Sequence, residues 1–482
     1  MVEDNRKTFE TLVQWIRSSS EGHVHVALEI RGSGPTRGVF AHKAIKKGEP
    51  LIILPPSFVL CGEKVPASYS SNIVASPWLR TIGAFYKAKK ETQAFKPYLD
   101  SLPTGFDTLM EWSSREIGCY LAGTTLGAMA MSDREEKALE SGFMSAVRPY
   151  LDDLGVIGTN NIKSEETDIE DFRYACMCLS TRGFHLRLEG SQDGAFHGPF
   201  LLPVIDLLNH DPVNKCTKLQ RDSNTMAFFM IAERDINLGE EIFHSYGDNL
   251  TSSELLQTFG FVPKRSSDLF CTDRGIIPDH SISPANLSKA EVVEACKAVV
   301  TSTFVDKLRQ GMELNGMSED EVWYLDMDEQ QMRDLSAIPD DLVIDFAEPL
   351  SDELVTLCCL LLFPSDAYAE YFNGDTNGSL LNRSMLDDYF LGKIVCQTLL
   401  KALCKKFARY KCISIYGIDD AICTNDRKLL CYIQQTSLDV PRAVYGLTIR
   451  LEEKACLQAL RAEILGIIEM LDESTECFGL SS

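Results

Sequence analysis

The sequence predicts an α+β protein in which a β-rich unit, carrying a helical insertion, precedes an α-helical domain. Alternating apolar and polar residues indicate strands at 23–60 and again at 199–261, where glycine and proline separate short apolar runs. Between them, at about 70–188, apolar residues recur every three or four positions, which is typical of helices. From about residue 263 onwards the pattern is mostly helical.

The chain length agrees with more than one domain. At about 100–200 residues per domain, 482 residues correspond to two to four domains. We predict a first domain at 1–265, with its helical insertion at about 65–180, and a second, all-α domain at 266–482. Individual helices are predicted at the N-terminus and at 78–90, 114–131, 170–181 and 442–472. Residues 252–261 are predicted to form a short helix that turns into a final strand.

Composition is that of a globular protein, with 45% hydrophobic and 24% charged residues. The longest apolar stretch, 354–363, is half the ~20 residues that a membrane span requires. The acidic N-terminal segment has neither the apolar core of a signal peptide nor the composition of a transit peptide. We therefore expect an intracellular protein of the cytoplasm or nucleus that does not bind membranes, and we expect a monomer.

The net charge of −23 argues against direct binding of nucleic acid, because phosphate contacts require clustered lysine and arginine. Residues 313–353 hold fourteen acidic residues and one basic residue, Arg333. Such a segment is either a solvated face or a surface that attracts a basic protein partner.

Sixteen cysteines are present, but no two of them have the C-x-x-C spacing. Zinc sites and secreted disulfide frameworks both depend on regular close spacing. We therefore predict buried thiols and no metal site.

Two parts of the sequence contain candidate functional motifs. Residues 26–38, VALEIRGSGPTRG, resemble the glycine-rich turn of Rossmann-type methyltransferases, but no amphipathic helix follows that turn. The stronger pattern is PVIDLLNHDP at 203–212 followed by ERDINLGEEIFHSYGDNLTSSELLQTFGFVP at 233–263, with RGVFAHKAIKKGEPLIILP upstream at 37–55. In this order the motifs resemble SET-domain methyltransferases of the Rubisco large-subunit methyltransferase-like family. The resemblance runs from about residue 20 to 470 and includes DFRYACMCLSTRGF at 171–184.

The resemblance implies a SET fold of small sheets with knot-like threading, S-adenosylmethionine as cofactor, and transfer of its methyl group to a lysine of a protein substrate. Arg182 matches the arginine that pairs with the cofactor's carboxylate, a role that suits the bidentate guanidinium. Asp206 matches a position in the pocket, and Asn209 and His210 match the pair that contacts adenine mainly through backbone groups. The loop formed by Pro35, Thr36, Arg37 and Gly38 matches the segment whose backbone holds the cofactor's amino-acid end.

Tyr246 is the predicted catalytic residue, and it also contacts the cofactor in the family. Methyl transfer requires nitrogen, methyl carbon and sulfur in one line, and holding that geometry supplies much of the rate. A lysine with an ordinary pKa near ~10.4 must first lose its proton, which an apolar channel and a nearby cation both favour. We expect the Tyr246 hydroxyl to orient the amine and not to act as a strong base.

Thr181, Asp206 and Phe259 match the substrate channel, and Phe261 matches an aromatic position beside the cofactor. Phe259 and Phe261 are predicted to share one face of a final strand. Many relatives carry tyrosine at the position of Phe259 and serine at that of Thr181. Because Phe259 lacks the hydroxyl of tyrosine, the enzyme could add a different number of methyl groups, or could accept a histidine in place of a lysine. A SET-fold protein that binds a partner without catalysis is the alternative of another class, although Arg182 and Tyr246 are both retained.

Overall fold

The computed structural model describes residues 2–32, 37–69, 73–91, 93–132, 142–156, 165–187, 196–271, 282–300, 310, 338–362, 386, 389–413, 415, 422 and 425–477. The chain forms two compact units. Unit 1 comprises Met1–Glu111, Arg134–Leu250 and Thr258–Gly260, and unit 2 comprises Trp112–Asp133, Thr251–Gln257 and Phe261–Ser482. The predicted domains, 1–265 and 266–482, divide the chain at one point, whereas these units interleave along it.

The described helices are numbered in chain order. They are α1 (Val2–Arg17), α2 (Pro77–Lys90), α3 (Lys96–Leu99), α4 (Ser114–Tyr120), α5 (Thr125–Ser132), α6 (Arg148–Asp153, after a π-helical turn at Phe143–Val147), α7 (Glu165–Arg182), α8 (Ser252–Phe259), α9 (Lys264–Cys271), α10 (Lys289–Val300), α11 (Asp352–Leu362), α12 (Tyr389–Ala408), α13 (Asp426–Thr436) and α14 (Pro441–Cys477).

The strands are short. They are β1 (His23–Val24), β2 (Leu28–Arg31), β3 (Gly38–Ala41), β4 (Pro50–Leu54), β5 (Leu60–Cys61), β6 (Ser68–Tyr69), β7 (Ile73–Val74), β8 (Gly183–Arg187), β9 (Phe196–Leu201), β10 (Asn209–His210), β11 (Thr217–Arg221), β12 (Phe228–Ala232), β13 (Phe243–His244), β14 (Ala285–Ser288) and β15 (Asp341–Ile344).

Unit 1 contains several small sheets around one apolar core. A four-stranded sheet has the order β1-β4-β12-β11, a three-stranded sheet the order β5-β9-β8, and β2-β3, β6-β7 and β10-β13 form pairs. The core collects buried side chains from the sheets and from α1, α2 and α7, such as Ile16, Ile52, Ile82, Leu179 and Met230. Small sheets that cannot bury both faces alone are stabilised here by the helices that cover them.

Unit 2 is mainly helical. The helices α10, α11, α12 and α14 enclose one apolar core, and α9, α13 and α14 enclose a second. The predicted all-α character is wrong in one detail, because β14 and β15 form an antiparallel pair. The hydrophobic residues of that pair, including Leu287 and Ile344, are buried in the first core, which explains why an amphipathic strand pair is stable there.

The predicted insertion helix at 114–131 is two helices. Ser113 and Glu116 form a capping box that starts α4, since the serine hydroxyl accepts from the Glu116 N–H and the glutamate accepts from the Ser113 N–H. Gly123, with φ +87°, separates α4 from α5. A side chain there would also collide with the backbone of Arg409 and Tyr410, so the break is built into the sequence.

The other helices predicted from periodicity correspond to α1, α2, α7 and α14, with α7 and α14 longer than expected. None of the helices in the described part of the chain is long and apolar enough to cross a membrane.

Candidate active site

A parallel strand pair organises the candidate site in unit 1. Asn209 pairs with Phe243 and His210 with His244, and this β10-β13 ladder is the parallel one among the described strands. Parallel neighbours need a crossover between them, here the antiparallel strands β11 and β12. The pairing brings the Asn-His segment beside the chain that leads to Tyr246.

Arg182 and Asp206 form a buried ion pair. Arg182 is the last residue of α7, and its Nη1 donates to the backbone oxygen of Asp206 at 3.0 Å and to Oδ2 at 3.2 Å. The side chains are 12% and 1% exposed. Burial lowers the pKa of Arg182, but the charge and hydrogen bond of Asp206, together with Tyr98 and Tyr246, more than offset burial and hold that pKa above its usual value.

Tyr98, on the short helix α3, completes this pair. Its hydroxyl donates to Asp206 Oδ2 at 2.9 Å, so the same carboxylate oxygen accepts from both Tyr98 and Arg182. Tyr98 is fully buried, and burial together with the neighbouring Asp206 raises its pKa well above the usual value. The hydroxyl therefore stays protonated and remains a donor, which fixes the rotamer of Asp206.

The backbone that carries Asp206 is strained. Val204 has φ +69° and is fully buried, immediately before the 3₁₀ turn Ile205–Leu207. A β-branched residue with positive φ is a true outlier, and such strain concentrates at functional sites. Here it turns the chain so that the Asp206 side chain and the Leu208 carbonyl both reach into the candidate site.

Arg37 contributes its side chain as well as its backbone. Burial lowers the pKa of Arg37, the charge of Arg182 lowers it further, and Asp206 and Tyr246 oppose this effect. Arg37 therefore belongs to the same set of interacting charges as these three residues. The resemblance to the family implies only that the backbone of Arg37 holds the cofactor. The neighbouring Pro35 and Thr36 lie outside the described residues.

Gly38 permits a different contact from the one expected. A side chain at Gly38 would collide with the Glu241 carboxylate and approach the Asn209 amide. Asn209 Nδ2 donates to the Arg37 carbonyl at 2.7 Å and to Glu241 Oε1 at 2.8 Å. Burial raises the pKa of Glu241. The Asn209 side chain thus fixes the Arg37 backbone, while the backbone of β10 pairs with β13.

Tyr246 lies at the centre of the aromatic part of the site. Its hydroxyl donates to the Leu208 carbonyl at 2.8 Å, and its backbone N–H donates to His210 Nδ1 at 3.0 Å. The ring packs against His210 and Phe259, with centroids 5.1 and 4.7 Å away. Burial raises the pKa of Tyr246 to about 12. At neutral pH this hydroxyl is protonated and cannot serve as a base.

The predicted final strand is wrong. Phe259 is the last residue of α8, and Gly260, with φ +82°, turns the chain before Phe261. A side chain at Gly260 would collide with the backbone of Asp107 and Thr108, so this position requires glycine. Phe259 therefore reaches Tyr246 from a helix end, while Phe261 belongs to unit 2 and shares no strand face with it.

Thr181 is also on α7, one residue before Arg182. Its hydroxyl donates to the Met177 carbonyl at 2.7 Å within the same helix. A hydroxyl bonded in this way has less capacity to donate to a substrate. The predicted channel role of Thr181 stays a prediction.

Sequence reasoning missed Tyr98, Glu241 and the Leu208 carbonyl. Glu241 lies within the motif at 233–263, but its contact with Asn209 depends on the pairing of β10 with β13. Tyr98 is 108 residues from Asp206 and carries no local signal of its contact. Among the described residues, no cluster of three or more His, Cys, Asp or Glu could hold a metal ion.

Comparison with known proteins agrees with this architecture. The family profile "SET domain" matches residues 36–247. The chain is 26% identical over 247 residues to the [fructose-bisphosphate aldolase]-lysine N-methyltransferase of Arabidopsis thaliana, covering 48% of this chain and 47% of that protein. It is 22% identical over 291 residues to ribosomal lysine N-methyltransferase 4 of Saccharomyces cerevisiae, covering 54% and 56%. The matches thus span about half the length of these relatives.

A solved structure matches nearly the whole chain. The structure of Rubisco LSMT bound to AdoMet superimposes with a TM-score of 0.63 at 17% identity, covering 97% of this chain and 93% of that one. The SET fold predicted from the ordered motifs is therefore confirmed. Residues 36–247 match the SET-domain family, within a chain that has the fold of the solved Rubisco LSMT structure.

Proposed function

We propose that this chain is an S-adenosylmethionine-dependent methyltransferase that modifies a lysine side chain of another protein. The observation that carries the proposal is the cluster of Arg37, Arg182, Asp206 and Tyr246 inside a SET domain. The relatives named above are lysine N-methyltransferases, and the matched structure holds AdoMet.

The charges of the cluster fit the cofactor. Arg37 and Arg182 both interact electrostatically with the single carboxylate of Asp206, so these three side chains carry one net positive charge, which suits an anionic ligand. Arg182 Nε and Asp206 Oδ1 are buried and have no hydrogen-bond partner among the described residues. A buried donor and a buried acceptor match a ligand that carries both a carboxylate and an ammonium group. Arg182 and Arg37 would hold the carboxylate.

When bound, the cofactor supplies an electrophilic methyl group on a sulfonium. The protein must supply orientation and a dry environment for an uncharged amine. Because the Tyr246 hydroxyl hydrogen is donated to Leu208, only the oxygen lone pairs remain to accept an N–H. Tyr246 would thus orient the amine, and Phe259 beside it would exclude water. A protonated lysine would be disfavoured beside the positive charge of the cofactor's sulfonium.

We propose a protein as the methyl acceptor, in keeping with the acidic net charge of −23, which disfavours nucleic acid. The direct experiment is incubation with labelled S-adenosylmethionine and a cell extract, followed by identification of the labelled protein and residue. Label on lysine supports the proposal. Label on histidine would show that histidine, and not lysine, is the acceptor. The absence of label, in a chain that still binds the cofactor, would contradict the proposal that the chain is an enzyme.

S-adenosylmethionine should stabilise the folded chain. Binding to the native state alone adds RT ln(1 + [L]/Kd), which is about 2.7 kcal/mol at ~100 Kd. We expect a higher melting temperature with S-adenosylmethionine and with its demethylated product, measured by differential scanning fluorimetry. Adenosine, which lacks the amino-acid end, is the control and should shift the melting temperature much less. An unchanged melting temperature with both full ligands argues against the cofactor site.

Tyr98→Phe should weaken cofactor binding without lowering kcat at saturation. Without the hydroxyl, Asp206 Oδ2 keeps only the Arg182 bond, so the guanidinium is held less firmly. A lost hydrogen bond to a charged group costs about 1.5–3 kcal/mol. If half of this free energy is lost from cofactor binding, the Kd for the cofactor rises roughly fivefold. Isothermal titration with the demethylated cofactor measures this change.

Tyr150→Phe is the matched control for Tyr98→Phe. Tyr150 is equally buried, and its hydroxyl donates to the Pro66 carbonyl at 2.9 Å, away from Arg182. Both variants should lose stability, but only Tyr98→Phe should bind cofactor more weakly. Equal Kd values for the two variants would assign Tyr98 to core packing alone.

A further inference from the structure

Two cysteine thiols of unit 2 lie side by side. Cys271 is the last residue of α9, Cys431 lies on α13, and the Cys431 thiol donates to Cys271 Sγ at 2.9 Å. The helices are held together by Phe270 and Leu430, which are buried in a shared apolar cluster. Both sulfurs are therefore fixed by packing on rigid elements.

Small molecules can reach Cys431 from solvent. Cys431 lines an open pocket of about 450 Å³ together with Arg427, Lys428 and Tyr432. Cys271 and Cys431 are both partly exposed, whereas Cys296, Cys358 and most other described cysteines are buried. The basic residues of the pocket favour an oxidant that carries carboxylates.

We propose that Cys271 and Cys431 form a reversible intramolecular disulfide by exchange with a low-molecular-weight disulfide of the oxidised glutathione class. A disulfide bond is about 2.0 Å long, so the sulfurs need to approach by less than one ångström from their 2.9 Å separation. The proposal concerns unit 2 and is independent of the methyltransferase assignment.

The exchange has two balanced steps. Cys431, as thiolate, attacks one sulfur of the oxidised glutathione, and the first glutathione leaves as a thiolate that takes up the released proton. Cys271, as thiolate, then attacks the Cys431 sulfur, and the second glutathione leaves in the same way. Two protein thiols are oxidised to one disulfide, and one glutathione disulfide is reduced to two glutathione thiols.

Cys271 controls the second step. Its burial and its contact with the Cys431 thiol raise the pKa of Cys271 to about 12. Burial still raises the pKa of Cys271 when Cys431 is a mixed disulfide, and only the thiolate attacks, so closure should accelerate with rising pH. The closed bond joins positions 160 residues apart, which restricts the unfolded chain and should raise the melting temperature by about 5 °C.

The test uses the full chain incubated with oxidised glutathione at pH 8, with and without subsequent dithiothreitol. We expect the intact mass to fall by two hydrogens, a linked Cys271–Cys431 peptide after digestion, and full reversal by dithiothreitol. Cys271→Ser should retain a single glutathione on Cys431, because the mixed disulfide cannot be resolved. Cys431→Ser should form neither product.

Cys404→Ser is the matched control, because Cys404 is exposed on α12 and outside the pair. It should form the disulfide as the wild-type chain does. Unchanged thiol content of the native wild-type chain, or linkage through other cysteines, would overturn the proposal. Mass spectrometry reads these outcomes directly, so they do not depend on enzymatic activity.

Discussion

Tyr246→Phe should turn over its substrate about a hundredfold more slowly than the wild-type chain, while its affinity for cofactor stays close to wild type. The ring remains against His210 and Phe259, so the packing of the site is retained. A hydroxyl positioned for the transition state contributes on the order of 3 kcal/mol, which is a hundredfold in rate. An interaction made only in the transition state lowers kcat and kcat/KM together. Single-turnover kinetics on the identified substrate measures the change.

The structure also predicts a cost in stability for this variant. Without the hydroxyl, the Leu208 carbonyl loses its 2.8 Å donor, which costs about 1–3 kcal/mol for a buried group. Tyr150→Phe removes an equivalent bond to the Pro66 carbonyl and should lower the melting temperature without slowing turnover. A Tyr246→Phe enzyme with unchanged kcat would falsify the proposed role.

Arg182→Ala should abolish most of the stabilisation that S-adenosylmethionine gives. Removing two charge-assisted bonds to the ligand costs about 3 kcal/mol, which raises Kd about a hundredfold or more. The same change leaves the Asp206 carboxylate buried with one partner, Tyr98, so the protein without ligand should also be destabilised. Titration with the demethylated cofactor separates these two effects.

Arg182→Lys tests the same residue in a more stable background. Lysine keeps the positive charge beside Asp206 but cannot donate in two parallel bonds, so binding should be intermediate. Arg221→Ala is the matched control. Arg221 is a buried arginine paired with Glu63 and packed on Phe200, and its loss should destabilise unit 1 without changing cofactor affinity. If Arg182→Ala and Arg221→Ala bind cofactor equally, Arg182 is not a cofactor ligand.

The sequence sufficed for the two-part organisation because strand alternation and helical periodicity are local properties. Ordered motifs also placed Arg182, Asp206, Asn209, His210 and Tyr246 in one candidate site, and the structure brings these residues together in unit 1. Local sequence patterns specify the secondary structure of each segment. They specify much less about the direction in which each side chain points.

The differences between the predicted and the observed site arise where tertiary packing decides the position of a side chain. The guanidinium of Arg37 and the hydroxyl of Tyr98 reach the site through tertiary packing, which no motif at either position specifies. Phe259 and Phe261 have the spacing of a strand face, but α8 continues to Phe259 and the positive φ of Gly260 then reverses the chain. A short apolar segment fits either a helix or a strand, and tertiary context decides.

The interleaved units have a consequence for synthesis on the ribosome. Helix α4 lies in the first third of the chain, but it packs on α14, where Arg442 binds Glu116 and Arg450 binds the Ala122 carbonyl. At about 5–20 residues per second, the 326 residues between Glu116 and Arg442 take roughly 16–65 s to synthesise.

During that interval the nascent chain has no α14 against which α4 can bury its apolar side. Tyr120 of α4 packs against an apolar cluster that includes Leu447 of α14, so this contact can form only after α14 has been synthesised. We therefore expect chaperones to bind the nascent chain around residues 114–132, and expect unit 2 to complete its folding only after α14 has left the ribosome.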